Sequence, residues 1–475
     1  MKRQLLGDRN FYRALFAIGI PIALQNLLST TATMVDTAMV GTQGELAVAA
    51  VGLSSQYASL LFSAYFGFAA GGGLFFSQYW GAKNDKGICK AYGLTIVCMM
   101  IVGFIFAAAA IFAPQFVLGI YTDKAAIREV GQDYLRIIGY AFPFQVLSMG
   151  ISMLLRSTEQ VRIPLVAAIA STLTNIVVNW VLIFGKLGFP AMGVAGAAVG
   201  TLCSSIVNAL MLYLLSMRDP HSFLTRVKDH FGWDGPLVKN YFIKSAPIIA
   251  NEMLYGVGQM IINVVIGRQN EAAIAAMAVF RVIEGLFFAF FGGFANSCSV
   301  VVGKAVGSGA HEDGLRDAKR FVWLCPAFTF CLSLIVLSAR IPLLSLFGLE
   351  GASLRYGEWM LAIYVIASTV RMCNYITNSA FRAGGDSYYG TIFELGGLFL
   401  LAVPAVCLTG LVWKLPFLAV FAMVYLDEPI RLVILLRHLV TARWIKPVTD
   451  LGRAALAEFR ANHHLTPDGK RMKNA

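Results

Sequence analysis

The chain of 475 residues is 58% hydrophobic and only 13% charged, against roughly 25% charged in an average soluble domain. That balance excludes a water-soluble enzyme with an ordinary polar surface. The formal net charge of +12 would suit nucleic acid or an anionic lipid surface, and the placement of the basic residues decides between them.

Taken in chain order, apolar segments lie near 14–39, 50–78, 92–113, 134–155, 164–184, 193–216, 240–266, 273–301, 320–346, 358–381, 390–411 and 415–437. A helix of about 20 residues, at 1.5 Å each, crosses a hydrocarbon core of about 30 Å. Twelve spanning helices are therefore predicted. The first follows Lys2, Arg3 and Arg9 but has no small-residue cleavage site and is too long for a signal h-region, so it is expected to be retained.

Most Lys and Arg fall in the N-terminus, in even-numbered loops (Lys83, Lys86, Lys90; Arg316, Lys319, Arg320) and in the tail. Fewer occupy odd-numbered loops, among them Lys124, Lys186, Arg268 and Lys414, while Arg281, Arg371 and Arg431 lie within segments. The positive-inside rule then predicts a multi-pass protein of the plasma (bacterial inner) membrane with both termini cytoplasmic. The basic balance is a topology signal, and no nucleic-acid partner is expected.

The eight cysteines show neither metal spacing nor a disulfide framework. No GxxxxGK[ST] occurs, which argues against a directly ATP-driven pump. No His, Cys or Ser constellation at catalytic spacing is present, so neither enzyme activity nor a cofactor is expected.

Sliding the chain along itself reveals a repeat at an offset of 226 residues, with Pro21 falling on Pro247. At the same offset Gly41 meets Gly267, Gly67-Phe68-Ala69 meets Gly293-Phe294-Ala295, and Arg156 meets Arg382. Small apolar matches come cheaply in membrane helices, but the Pro and Arg matches do not. Each half holds six segments, an even number, so the repeat is parallel, the arrangement in which substrate passes between halves that rock. The expected organisation is an N-terminal six-helix bundle (1–217), a cytoplasmic linker (218–239), a C-terminal bundle (240–440) and a cytoplasmic tail (441–475).

Several motifs carry a family likeness. They are Val35-Asp36-Thr37-Ala38-Met39-Val40-Gly41 closing the first segment, Asn251-Glu252 in the repeat-related seventh, Leu155-Arg156, and Phe381-Arg382-Ala383-Gly384-Gly385-Asp386. Asp427-Glu428 and Arg443-Trp444 follow near the end. Together they resemble the multidrug and toxic compound extrusion (MATE) family over nearly the whole chain. A rival match, Gly81 to Gly87 to the basic loop of the major facilitator superfamily, breaks off at Ile88-Cys89 where that loop continues Gly-Arg-Arg.

The resemblance implies two six-helix bundles related by a pseudo-two-fold axis, V-shaped about a central cleft. It also implies a monomeric antiporter in the lipid bilayer that exports small molecules, often organic cations, in exchange for Na⁺ or H⁺. A lipid-linked precursor flippase of the same wider superfamily is the alternative, although such flippases tend to have extra helices and a strongly cationic cavity.

An ionisable group at the bilayer centre costs at least about 2.5–3.5 kcal/mol, which makes each one a functional candidate. The N-terminal segments contain one carboxylate, Asp36. Asn175 and Asn179, spaced i and i+4, share a helix face, and Thr201 lies on the sixth segment. Carboxylate, amide and hydroxyl oxygens form a hard-oxygen set suited to Na⁺ or a proton. The resemblance implies that these residues match a MATE cation site, although some relatives carry a second carboxylate where Asn179 stands.

The C-terminal segments hold Glu252, Arg281, Glu284, Arg371 and Glu394, three acids against two bases. Arg281 and Glu284, at i and i+3, are placed to pair along one helix. Glu252 is singled out because related transporters have a functional glutamate on this helix, and Arg281 or Arg371 is its expected partner if its role is structural. Arg371 stands where some relatives carry an acid. Pro21 and Pro247 each remove a helical hydrogen bond and should mark bends in the two repeat-related helices.

Overall fold

The computed structural model describes residues 7–219 and 222–466; Lys2, Arg3 and tail residues 467–475 lie outside the described residues. In chain order the helices are α1 (Arg9–Gly41), α2 (Glu45–Gly81), α3 (Asp85–Phe112), α4 (Pro114–Tyr121), α5 (Ala125–Ser157), α6 (Arg162–Phe184) and α7 (Gly193–Met217). After α8 (Val227–His230) come α9 (Gly235–Ile266), α10 (Glu271–Gly307), α11 (His311–Ser338), α12 (Arg340–Leu346) and α13 (Gly351–Gly384). The chain finishes with α14 (Ser387–Val412), α15 (Phe417–Met423), α16 (Asp427–Val440) and α17 (Asp450–Asn462).

Among the described residues, eleven helices are long and apolar enough to cross a membrane: α1, α2, α3, α5, α6, α7, α9, α10, α11, α13 and α14. All eleven fall on predicted segments. The twelfth, 415–437, is present but broken, α15 and α16 being separated by a turn at Val424–Leu426. The cause is in the sequence. Pro429, in the first turn of α16, has no N–H to close a helical bond onto Tyr425, and its ring would crowd that carbonyl. The ninth segment likewise ends early, at Ser338, and resumes as the separate α12. Helix α14 contains π-helical turns at Leu398–Ala402 and Leu408–Val412.

Three of the helices start where a side chain satisfies a free amide. Asn84 accepts from Gly87 N before α3, Asn270 from Ala273 N before α10, and Thr449 from Gly452 N before α17.

The chain forms two compact units, and three of the four boundaries between them fall inside helices. One comprises Leu24–Phe76 and Asn84–Ile249; the other comprises the chain up to Ala23, Ser77–Lys83, and the chain from Ala250 onward. The divisions in α1 and α9 come two residues after Pro21 and Pro247 respectively.

In the first of these units, residues 222–239 are a packed element. The His230 ring is buried, 2.9 Å from Phe223 O through Nε2 and edge-on to Tyr92. Arg226 and Lys90 pair with Asp85 and Asp234 at 3.1 and 3.7 Å, and these half-exposed pairs add little stability.

In the second unit the tail folds back onto helix ends. Trp444 is fully buried, Lys446 N donates to Gly384 O, and Val448 N donates to the Gln78 side chain, which itself donates to Ala383 O. Asp386, in the turn before α14, takes Lys446 Nζ at 2.8 Å and the His438 ring at 3.1 Å. Burial pushes its carboxyl up, but the hydrogen bonds from His438 and Lys446 outweigh that and hold it below the usual range.

Candidate functional site: two polar clusters inside the bundles

In the N-terminal bundle, Asp36 comes from α1 and its partners from α6. Asn179 Nδ2 donates to Asp36 Oδ1 at 2.6 Å and lies 3.3 Å from Asn175 Oδ1, so the i, i+4 pair does share the face that meets the acid. Asn179 is wholly buried, Asn175 nearly so, and Asp36 partly. With its NH₂ thus engaged, Asn179 Oδ1 is left without a hydrogen-bond partner. An unsatisfied buried acceptor beside a carboxylate is a place for a cation or a water. Thr201 spends its hydroxyl hydrogen on Ala197 O in its own helix, which leaves its lone pairs available.

The C-terminal residues divide into two subclusters. In the first, Arg382 from α13 donates to Glu252 of α9 at 3.0 Å and lies 3.8 Å from Glu394 of α14. Glu394 also accepts from Asn251 at 3.1 Å and from Asn378 at 2.5 Å. Two carboxylates thus share one guanidinium. The partner of Glu252 is Arg382, and neither expected arginine fills that place, because Arg281 and Arg371 point into the second subcluster.

There Arg371 binds Glu284 at 2.8 Å, the Tyr255 hydroxyl at 2.7 Å and Glu428 at 3.6 Å, with its guanidinium over the Phe288 ring at 4.7 Å. The expected Arg281–Glu284 pair along α10 does not form. Arg281 bonds instead to Asn263 of α9, while Glu284 turns to Arg371 of α13. A partner on a neighbouring helix offers a bidentate-capable guanidinium in a buried setting, and there an ion pair is worth more than a surface i, i+3 contact. Around this group is a cavity offering about 30 Å³ to water. That is room for a molecule or two, far below the roughly 300 Å³ or more of a drug-sized pocket.

The halves repeat one contact. Arg156 closes α5 and reaches back to Gln25 on α1 at 2.5 Å; its repeat mate Arg382, near the end of α13, reaches back to Glu252 on α9. Each arginine ties the fourth helix of its half to the first, four or five residues beyond the repeat-related proline.

The MatE family model matches the chain twice, over residues 21–181 and 247–408. The chain belongs to the MatE family. Its two matches begin at Pro21 and Pro247, the repeat that self-comparison finds. It is 26% identical over 415 residues to the probable multidrug resistance protein YoeA of Bacillus subtilis, covering 86% of this chain and 89% of that protein. It is 21% identical over 412 residues to the multidrug export protein MepA of Staphylococcus saprophyticus, covering 85% and 90%. A crystal structure of a mutant of the Vibrio cholerae MATE transporter VcmN superposes with a TM-score of 0.82 at 16% identity, covering 93% of this chain and 98% of that one. As a MatE protein the chain is a membrane transporter and not an enzyme.

Sequence reasoning missed Arg382 as a site residue, along with Asn251, Asn378, Asn374, Tyr255, Asp427 and Glu428. Four of these had a signal. Arg382 was half of the Arg–Arg repeat match, and Asp427-Glu428 stood as acids within an apolar segment. Asn251 stood in the Asn251-Glu252 motif, whereas Asn374, Asn378 and Tyr255 had no signal, since only packing shows which of many polar side chains face inward.

Within this MatE chain Gly200 of α7 permits the Asp36 site. A Cβ there would lie 1.9 Å from Asn179 Oδ1. Gly200→Ala is expected to displace the Asn179 amide from Asp36, lowering transport at least several-fold while the protein still inserts and purifies. Transport per mole of folded protein tests this, and wild-type transport would show that the amide is not needed.

Proposed function

We propose that this MatE protein exports organic compounds, often cationic, in exchange for Na⁺ or H⁺ by alternating access, with Asp36 as the coupling carboxylate of the N-terminal half. The observation that carries the reading is the Asp36–Asn179 pair with its unpartnered amide oxygen, a single negative charge and neutral oxygens inside an apolar span. One charge and amide oxygens suit a monovalent cation or a proton. Relatives named for multidrug resistance and export support the substrate class.

In this reading the two six-helix halves, 1–217 and 240–440, rock as a monomer, bending near Pro21 and Pro247 where the compact units divide. Glu252 serves either substrate charge or a second proton. Efflux from proteoliposomes with a Na⁺ gradient and a pH gradient imposed separately tests the coupling. Export is expected under at least one of them. Efflux indifferent to both, or movement of a lipid-linked sugar instead of soluble drugs, would overturn the antiport reading in favour of a flippase.

The reading also sets both termini in the cytoplasm of a bacterial inner membrane. Single cysteines at Lys83 and Lys319 are expected to react only with reagent on the cytoplasmic side, and those at Lys186 and Lys414 only from outside. One reversed position would break the topology.

A further inference from the structure

The second subcluster of the C-terminal bundle contains an acid that the coupling scheme does not use. Three carboxylates, Glu284, Asp427 and Glu428, lie among two guanidiniums, those of Arg371 and Arg431. Glu428 takes Arg431 at 2.6 Å, Asn374 Nδ2 at 2.7 Å and Arg371 at 3.6 Å. Glu284 takes Arg371 at 2.8 Å and the Tyr425 hydroxyl at 3.5 Å. Asp427, equally buried, has one ion pair within 4 Å among the described residues, a longer contact of 3.5 Å to an arginine that Glu428 already holds. Arg281 also lines the cavity, but its guanidinium is engaged by Asn263. One carboxylate is therefore in excess, and by geometry it is Asp427.

A water-sized space adjoins it. Arg281, Glu284, Asp427 and Arg431 all line the cavity, and Arg431 Nε faces no protein partner. An unpartnered, deeply buried donor on a cavity wall calls for a water. The local backbone favours the site. The break before α16 puts Asp427 in its first turn, against the cavity. On the facing side is Gly397, where a Cβ would come within 3.0 Å of Asp427 Oδ2, just before the π-helical turn at Leu398. Such turns in α-helices concentrate at functional sites.

We propose that Asp427 is a proton-carrying carboxylate of the C-terminal bundle, taking a proton from water in the adjoining cavity and returning it during the transport cycle, independently of Asp36. The proton binds a carboxylate oxygen, Asp427 passes from charge −1 to neutral, and Arg431 is left wholly to Glu428. The groups that share its cavity are Glu428 and Arg431 on α16, Arg371 on α13, and Tyr425 in the turn. From α10 come Arg281 and Glu284, and from α9 Tyr255. None gives Asp427 a second close cation. The inference rests on the transporter reading but not on Asp36 being the coupling site.

Infrared difference spectra of the full-length protein in lipid nanodiscs, recorded between alkaline and acid pH, test it through the carbonyl stretch of protonated carboxyls. Asp427→Asn is expected to remove one band that Asp36→Asn leaves in place, and Asp427→Glu to shift that band. In proteoliposomes Asp427→Asn should lower the number of protons moved per substrate. If Asp427→Asn fails to fold, the shift in Asp427→Glu alone decides. An unchanged spectrum in folded Asp427→Asn, or no shift in Asp427→Glu, would overturn the proposal. Loss of the Asp36 band with the Asp427 band intact, or the reverse, tells failure of one assignment from failure of the other.

Discussion

Asp36→Asn is expected to reduce ion-driven efflux to the level of empty liposomes while the protein remains folded. The change is isosteric, and the new amide oxygen can still accept from Asn179, which now donates to the acid at 2.6 Å. What is lost is the charge. A neutral side chain can neither hold Na⁺ against its hydration nor exchange a proton, so the gradient has no carrier in this half. Removing a buried charge that has only an amide donor relieves a desolvation cost, so the melting temperature should stay level or rise. Full coupled efflux by a folded Asp36→Asn protein would move the coupling site elsewhere.

The second large effect is on stability. Arg382→Met is expected to destabilise the C-terminal bundle by roughly 3–5 kcal/mol, the usual result of stranding a buried charge. Here one arginine serves two carboxylates, Glu252 at 3.0 Å and Glu394 at 3.8 Å. Glu394 keeps the amides of Asn251 and Asn378, so Glu252 is the group left alone. The double variant Arg382→Met with Glu252→Gln should therefore recover much of the loss. Its repeat mate is the control. Among the described residues Arg156 holds only the neutral Gln25, and Arg156→Met should cost less, about 1.5–3 kcal/mol for a hydrogen bond from a charged donor. Thermal unfolding of the four proteins checks the pattern, and an Arg382→Met protein as stable as wild type would show that the carboxylates find other donors or protonate freely.

The distinction between these two arginines bears on how MatE halves diverge. The scaffold contact is common to both, an arginine at the end of the fourth helix reaching the first. The N-terminal copy meets an amide and the C-terminal copy a carboxylate, so the same tie is a hydrogen bond in one half and an ion pair in the other.

Much of this protein was settled by local chemistry that a sequence displays. Lengths of apolar chain fixed eleven spans, because hydrocarbon leaves a backbone no partner but itself. The repeat was legible since Pro21 and Pro247, and Arg156 and Arg382, are residue types that chance rarely aligns in apolar helices. The face shared by Asn175 and Asn179 followed from 3.6 residues per turn, and the break in the twelfth span follows from Pro429. Partner choice was a different matter. Along one helix Arg281 and Glu284 are ideal neighbours, yet Glu284 pairs with α13 and Arg281 with α9. Likewise Glu252 binds an arginine 130 residues away. Helical spacing ranks only contacts within a helix, whereas buried charges go to whichever neighbour best satisfies all their donors and acceptors at once. Which helices are neighbours, and at what rotation, is decided by packing of the whole bundle, so the surplus acid at Asp427 and the unpartnered oxygen of Asn179 exist only in three dimensions.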